Sequence, residues 1–110
     1  MSGGKDRGSS GAMSGRKFEV VLHVLAFREI QKLPKVVRGR ARDAIDGLAS
    51  DPVPVGAMRL KGRVDGYRIR IGDYRILYEV HATEIVVYVI GVGHRKEVYQ
   101  RLLRRQLIRA

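Results

Sequence analysis

The chain has 110 residues, of which 45% are hydrophobic, 30% are charged and none is Cys. This length and composition predict one soluble domain, and the lack of Cys excludes a disulfide scaffold and Cys-ligated zinc. The most apolar stretch, residues 85–92, is too short to cross a membrane, and His23, His81 and His94 lack metal-site spacing. We expect a cytoplasmic protein without metal or cofactor. Its 22 basic and 11 acidic residues give a net charge of +11, which indicates an anionic partner.

Residues 1–17 contain five Gly and four Ser and almost no large apolar residues. Such a segment cannot bury enough surface to offset its ordering entropy, so we interpret it as a flexible N-terminal tail or a cloning remnant. Met13 is an alternative start. The tail carries four basic residues and one acidic residue, so 8 of the 11 net positive charges belong to residues 18–110, predicted to be a single domain.

The first half of this domain is predicted to be a short strand followed by a helical hairpin. Residues 18–22 alternate between the two faces of a strand. From residue 24, the spacing of Ala26, Ile30 and Leu33 predicts a helix that Pro34 ends. A second helix then runs until residues 51–52, with one apolar stripe. That stripe consists of Val37, Ala41, Ala44, Ile45 and Leu48.

The second half is predicted to be an antiparallel β-meander and a basic helix. Residues 51–66 form a loop in which residues 58–61 are a candidate short strand. Residues 67–71 and 74–80 predict a β-hairpin, and residues 84–92 predict a third strand. Residues 97–108 have helical spacing but many Arg, so a packed terminal helix and a mobile basic element both stay open.

A two-residue turn at Gly72-Asp73 would place Ile71 opposite Tyr74 and Arg70 opposite Arg75. Strand alternation then puts Arg68, Arg70 and Arg75 on one face, and the apolar residues on the other, core-forming face. The core face consists of Tyr67, Ile69, Ile71, Tyr74, Ile76 and Tyr78.

Arginines directly opposite each other across a sheet are destabilising, and an anion bound between them would remove this cost. A guanidinium grips two phosphate oxygens at once, so the cationic face predicts binding to nucleic acid. The alternative is a solvated face that Asp65, Asp73 or Glu79 neutralises.

Two glycines, Gly91 and Gly93, lie at the end of the third predicted strand and indicate a loop that presents His94, Arg95 and Tyr99. RNA can be cleaved without metal when its 2′-hydroxyl attacks the adjacent phosphate, which requires a base, a proton donor and cations. Arg cannot serve as the base, so arginines would stabilise charge. The groups able to exchange protons are His94, Lys61 and Tyr99, and the ordinary pKa of His lies nearest neutrality.

Several segments together resemble the RelE/ParE superfamily of toxins of bacterial toxin-antitoxin pairs. They are residues 32–34 (KLP), 51–52 (DP), 60–62 (LKG), 67–78 (YRIRIGDYRILY) and 92–99 (VGHRKEVY). The resemblance implies an α+β fold with a helical hairpin packed on an antiparallel sheet. It also implies a cognate antitoxin that wraps around the toxin and neutralises it.

The RelE branch, which we prefer, implies a ribosome-dependent endoribonuclease that cleaves mRNA in the ribosomal A site. The catalytic positions carried over by motif are Arg68, Arg70, Arg75, Arg95 and Tyr99, and the predicted RNA-binding residues are Lys61, Arg59 and Arg63. Well-known RelE toxins carry Lys where this chain has Arg68 and Arg70, so a base role for those lysines does not transfer. We expect His94 to compensate as a catalytic residue, and His94→Ala to slow cleavage strongly.

Two alternatives stay open. A ParE-like toxin would share the scaffold but would bind and inhibit DNA gyrase without cleaving RNA. A plain basic nucleic-acid-binding module would bind with an affinity that falls steeply with salt. Convergence of the arginines with His94 and Tyr99 on one concave patch would favour the nuclease.

Overall fold

The computed structural model describes residues 17–110 and confirms the predicted order of a strand, a helical hairpin, a β-meander and a terminal helix in an α+β fold. The helices are α1 (Val24–Gln31), α2 (Lys35–Gly47) and α3 (Arg95–Arg104). The strands are β1 (Glu19–Leu22), β2 (Met58–Arg59), β3 (Gly66–Ile71), β4 (Tyr74–His81) and β5 (Val86–His94). The tail predicted for residues 1–17 lies outside the described residues, apart from Lys17. No helix among those described is both long and apolar enough to span a membrane.

The strands form one five-stranded sheet in the order β1-β5-β4-β3-β2. β1 runs parallel to β5, and the other neighbours are antiparallel. In the hairpin, Ile71 pairs with Tyr74 and Arg70 pairs with Arg75, which confirms the predicted register.

The helical hairpin packs on one face of the sheet and forms the first core. The side chain of His23 caps α1 by accepting a hydrogen bond from the Leu25 N–H at 3.1 Å. α1 buries Ala26 and Ile30, as its spacing predicts. From the sheet, this core takes Ile71, Ile76, Tyr78, Val87, Val89 and Val92. Burial of each large apolar side chain contributes about 1.5–3 kcal/mol, so this core holds the helical hairpin on the sheet.

The opposite face is only partly cationic, which corrects the prediction of one core face and one cationic face. A second buried cluster lies there, beneath α3. It consists of Leu60, Leu77, Ile90, Val98, Leu102 and Ile108. Leu77 pairs with Gly91 and Tyr78 pairs with Val89, so Ile90 is the extra residue of a β-bulge and can face the second core.

Gly91 and Gly93 lie in β5 and are buried, so the prediction of a loosened loop at this point is wrong. A Cβ at Gly91 would lie 2.6 Å from Cδ1 of Leu102, and one at Gly93 would overlap the guanidinium of Arg101. The glycines therefore let α3 approach the strand closely.

The terminal helix begins and ends earlier than residues 97–108. Gln106 has φ 60°, its N–H donates to the Leu103 carbonyl at 3.0 Å, and the Leu107 N–H donates to the Leu102 carbonyl at 2.9 Å. This pair of bonds is a Schellman motif, which ends the helix and turns the chain back. Ile108 can then enter the second core.

Candidate active site

Arg75 is the second residue of β4, close to the β3–β4 turn, and it is only 8% exposed. Its Nη1 donates to the carbonyl oxygens of Gly72 at 3.1 Å and of Tyr74 at 3.0 Å. Its Nε is buried and has no hydrogen-bond partner among residues 17–110. A buried donor without a partner is costly, and an anion that accepted from it would recover that cost.

Burial is the main cause that lowers the pKa of Arg75 from its ordinary value. The positive charges of Arg70, Arg68 and Arg95 lower this pKa further, whereas Tyr99 acts in the opposite direction. Arg nevertheless stays charged at neutral pH. The structure therefore brings five of the predicted catalytic residues near one another in a positive field that favours an anion.

Backbone pairing fixes the positions of these side chains. Arg70 is directly opposite Arg75 across the hairpin, and strand alternation places Arg68 on the same face. Arg95 is the first residue of α3, and its N–H donates to the carbonyl of Asp73 at 2.9 Å. The start of α3 is thereby attached to the turn that joins β3 to β4.

A groove of about 520 Å³ runs along this face, and we name it the basic groove. The residues that line it and bear on its chemistry are Arg59, Leu60, Lys61, Arg68, Tyr99, Ile108 and Arg109. It thus combines cations and a phenol with apolar side chains of the second core. Proteins that bind single-stranded nucleic acid combine cations for the phosphates with aromatic rings for the bases in this way.

The three predicted RNA-binding residues differ in their surroundings. Lys61 lines the basic groove and is exposed. The guanidinium of Arg59 lies over the ring of Tyr67, 5.3 Å from its centroid, and donates to the Tyr67 hydroxyl at 3.1 Å. The guanidinium of Arg63 pairs with the carboxylate of Glu79 and donates to a backbone carbonyl. Of the three, Lys61 is the residue whose side chain has no such internal bond among the described residues.

No carboxylate in the part of the chain that the structure describes forms an ion pair with Arg68, Arg70, Arg75 or Arg95. Glu79 was one of the acidic residues considered for this role. It pairs with Arg63 and with Nε2 of His81, 2.8 Å from its Oε1. The arginine face is therefore not neutralised from within residues 17–110. These residues also bring together no group of three His, Asp or Glu that could hold a metal ion.

His94 is not brought together with the arginines. It is the last residue of β5 and pairs with Tyr74, so the two side chains share the face of the helical hairpin. Their rings meet edge to face with centroids 5.7 Å apart. The sequence-based expectation assumed a loop at His94, whereas the strand continues through it and directs its ring away from Arg75.

Sequence reasoning missed Glu29 on α1. Its carboxylate accepts from Arg101 of α3, from Arg105 directly after α3, and from the Val92 N–H of β5. In the sequence, Glu29 is one polar residue on an amphipathic helix, and its partners lie more than 60 residues away, so no local pattern indicates the contact.

Residues 20–99 match the family described as the ParE toxin of type II toxin-antitoxin systems, parDE. The chain is 34% identical to mRNA interferase toxin RelE of Escherichia coli over 86 residues, which cover 74% of this chain and 90% of that protein. It is 29% identical to toxin RelG of Mycobacterium tuberculosis over 77 residues, which cover 69% and 88%.

Solved structures of RelE toxins also match this chain. A chain in the crystal structure of the archaeal RelE-RelB complex from Pyrococcus horikoshii matches with a TM-score of 0.65 and 30% identity, covering 74% of this chain and 99% of that chain. A free-state structure of E. coli toxin RelE carrying two arginine-to-alanine substitutions matches with a TM-score of 0.67 and 28% identity, covering 81% and 97%. The chain therefore belongs to the family of ParE toxins of type II toxin-antitoxin systems, and its relatives within the RelE/ParE superfamily include RelE toxins.

Proposed function

We propose that this protein is the toxin of a type II toxin-antitoxin pair and that it acts as a ribosome-dependent mRNA endoribonuclease. The relative from E. coli is named an mRNA interferase. The observation that carries the proposal is the environment of Arg75. Its buried Nε has no partner and its guanidinium is flanked by Arg70, Arg68 and Arg95, none of which pairs with a carboxylate within residues 17–110.

In the proposed reaction, the 2′-hydroxyl oxygen of the RNA attacks the adjacent phosphorus. A bond from phosphorus to the 2′-oxygen forms and the bond to the 5′-oxygen breaks, which leaves a 2′,3′-cyclic phosphate and a 5′-hydroxyl. The pentacoordinate intermediate carries additional negative charge, and fixed guanidinium groups stabilise that charge more than the ground state. Arg75 is held in place by hydrogen bonds to two backbone carbonyls.

The reaction also moves two protons, one from the attacking 2′-hydroxyl to a base and one from an acid to the leaving 5′-oxygen. We assign proton transfer to Tyr99 and Lys61, because both line the basic groove beside Arg68 and both carry an exchangeable proton. His94 is the third candidate from the sequence, but its ring contacts Tyr74 on the other face of the sheet.

The ribosome and a cognate antitoxin are the proposed partners. A site that consists mainly of cations binds single-stranded RNA without reading its sequence, so a second component must present the mRNA. We propose that the ribosomal A site presents the mRNA, as the resemblance to RelE implies. Solved complexes of relatives contain RelE with RelB, and we propose that an antitoxin of that kind neutralises this toxin.

The test is to add the protein to a translating extract and map new 5′ ends on the mRNA. We expect cleavage by the wild type and a loss of about 10²–10³-fold for Arg75→Ala, by analogy with the removal of one transition-state donor. Arg42→Ala, an exposed substitution on α2, is the matched control and should cleave normally. Equal cleavage by Arg75→Ala and the control would contradict the proposed site.

Inhibition of DNA gyrase is the second candidate, because the matching family is that of ParE toxins. It predicts no new mRNA ends and inhibition of gyrase-dependent supercoiling. Running both assays on the same preparation separates the two functions.

A further inference from the structure

The segment after α3, residues 106–110, returns to the sheet and lies against the loop between β2 and β3. The Arg109 N–H donates to the carbonyl of Gly62 at 2.8 Å, and Arg63 donates to the carbonyl of Leu107. Ile108 is buried in the second core with Leu60. Backbone and apolar contacts together therefore fix this segment in place.

Gly62 is the residue that permits this contact. Its φ is +88°, in the region that favours glycine, and a Cβ there would overlap the carbonyl oxygen of Arg109. Two features therefore disfavour an alanine at position 62. Its backbone would need a positive φ, and its Cβ would overlap the segment that lies on the loop. The loop and residues 106–110 fit each other only while position 62 lacks a side chain.

Once fixed, this segment forms one wall of the basic groove. Ile108 and Arg109 line the groove together with Lys61, Arg68 and Tyr99. Arg109 is exposed and forms no ion pair with a described residue. The wall therefore carries a cation that forms no ion pair within the fold, and this cation lines the same groove as three of the proposed catalytic residues.

We propose that residues 106–110 form a substrate-binding wall and that Arg109 binds a backbone phosphate of single-stranded RNA beside the scissile linkage. The proposal rests on the proposed function for the identity of the ligand as RNA. The groove favours RNA over an acidic peptide because its lining combines four cations with the ring of Tyr99, on which a base can stack. Gly62 acts as a positioning residue, since it touches only the wall.

The experiment measures binding of the full chain to a labelled single-stranded RNA oligonucleotide with 2′-O-methyl groups, which cannot be cleaved by 2′-hydroxyl attack. Fluorescence anisotropy is recorded across a series of salt concentrations. Arg109→Ala should raise Kd about 5-fold, the typical net effect of losing one exposed hydrogen-bonding contact. It should also make the slope of log K against log salt less steep by about 0.7, the value for one phosphate of a single strand.

Gly62→Ala should weaken binding by a similar factor, because it displaces the wall that carries Arg109. The double variant Gly62→Ala/Arg109→Ala should bind no more weakly than Gly62→Ala alone. Gly56→Ala is the matched control, since Gly56 also has positive φ, +95°, but a Cβ there meets nothing within 4 Å. Arg42→Ala on α2 controls for the loss of one charge. If Gly62→Ala fails to fold by circular dichroism, the exposed Arg109→Ala still decides the question.

The proposal would be overturned by no binding of the wild type at low salt, by equal Kd values for Arg109→Ala and Arg42→Ala, or by additive effects in the double variant. Tighter binding of a poly-glutamate peptide than of RNA, lost in Arg109→Ala, would also overturn it and assign the groove to a peptide. Because the oligonucleotide cannot be cleaved, these binding measurements do not depend on catalysis. Normal mRNA cleavage by Arg75→Ala together with weakened binding by Arg109→Ala would reject the proposed role of Arg75 in cleavage. It would leave the substrate-binding role of residues 106–110 supported.

Discussion

Nε of Arg101 on α3 donates a hydrogen bond to Oε2 of Glu29 on α1 at 3.0 Å, and this bond connects the two layers that flank the sheet. Arg105 donates to the same oxygen at 3.1 Å, and the Val92 N–H donates to Oε1 at 2.9 Å. The pairing of β1 with β5 ends with Leu22 opposite Val89, so Glu29 satisfies a backbone group of β5 that β1 does not reach.

Glu29→Ala should lower the free energy of unfolding by about 2–4 kcal/mol, since it leaves a backbone donor and two arginines without their acceptor. Urea denaturation measures this change. Asp43→Ala, at an exposed position of α2, is the control and should change stability by less than about 0.5 kcal/mol. A Glu29→Ala protein as stable as this control would show that other contacts hold α3.

The sequence was sufficient to predict the elements whose patterns are local. The register of the β3–β4 hairpin follows from its two-residue turn, and strand alternation then places Arg68, Arg70 and Arg75 on one face. The position of α3 could not be predicted in the same way. It depends on Glu29, 72 residues from Arg101 in the sequence, and on a bulge that turns Ile90 toward the second core.

Two Gly-to-Ala substitutions, one in β5 and one in α2, should have opposite effects on stability. At Gly91, the added Cβ lies 2.6 Å from Leu102 and 3.3 Å from Val98, so overpacking should destabilise the fold by about 1–3 kcal/mol. At Gly39, inside α2, nothing lies within 4 Å, and Ala should stabilise the helix by about 0.5–1 kcal/mol. Thermal unfolding of both variants checks the prediction, which fails if the two changes have the same sign.

Tyr78 should make stability depend on alkaline pH. Its side chain is fully buried and its hydroxyl donates to the Pro52 carbonyl at 2.7 Å. Burial raises the pKa of Tyr78 above its ordinary value, with Tyr67 and Asp51 acting in the same direction. The folded state therefore keeps this proton, so the stabilisation is complete below the unfolded pKa of about 10 and is lost as the pH rises above it.

Tyr78→Phe should cost about 0.5–1.5 kcal/mol at neutral pH and should reduce the loss of stability above pH ~10. Guanidinium denaturation at several pH values measures both effects. Tyr88→Phe is the control, because Tyr88 is exposed on β5. An unchanged alkaline profile in Tyr78→Phe would mean that other groups cause the alkaline loss.

At the candidate site, strand alternation predicted the arginines, whereas the role of His94 depended on a loop. The pattern of two glycines before a His is typical of a loop, but here β5 continues through His94 because α3 packs on both glycines. Because side chains alternate along a strand, the continuation of β5 through residue 94 fixes the face of the sheet on which the imidazole lies. The chemistry of a residue can thus be read from its type, while its access to substrate depends on tertiary packing.

His94→Ala distinguishes the sequence-based expectation from the one that follows from the structure. The sequence alone predicts strongly slowed mRNA cleavage. From the position of the His94 ring against Tyr74, 5.7 Å between centroids, we expect cleavage within a few-fold of the wild type. We also expect a loss of stability of about 0.5–1.5 kcal/mol from the missing aromatic contact.

Tyr99→Phe is the matched comparison. Its loss of the phenolic proton should slow cleavage about 10²-fold with little change in stability, as expected for a proton-transfer group. Single-turnover cleavage on programmed ribosomes measures both variants, and a hundredfold loss in His94→Ala at unchanged stability would restore His94 as the base.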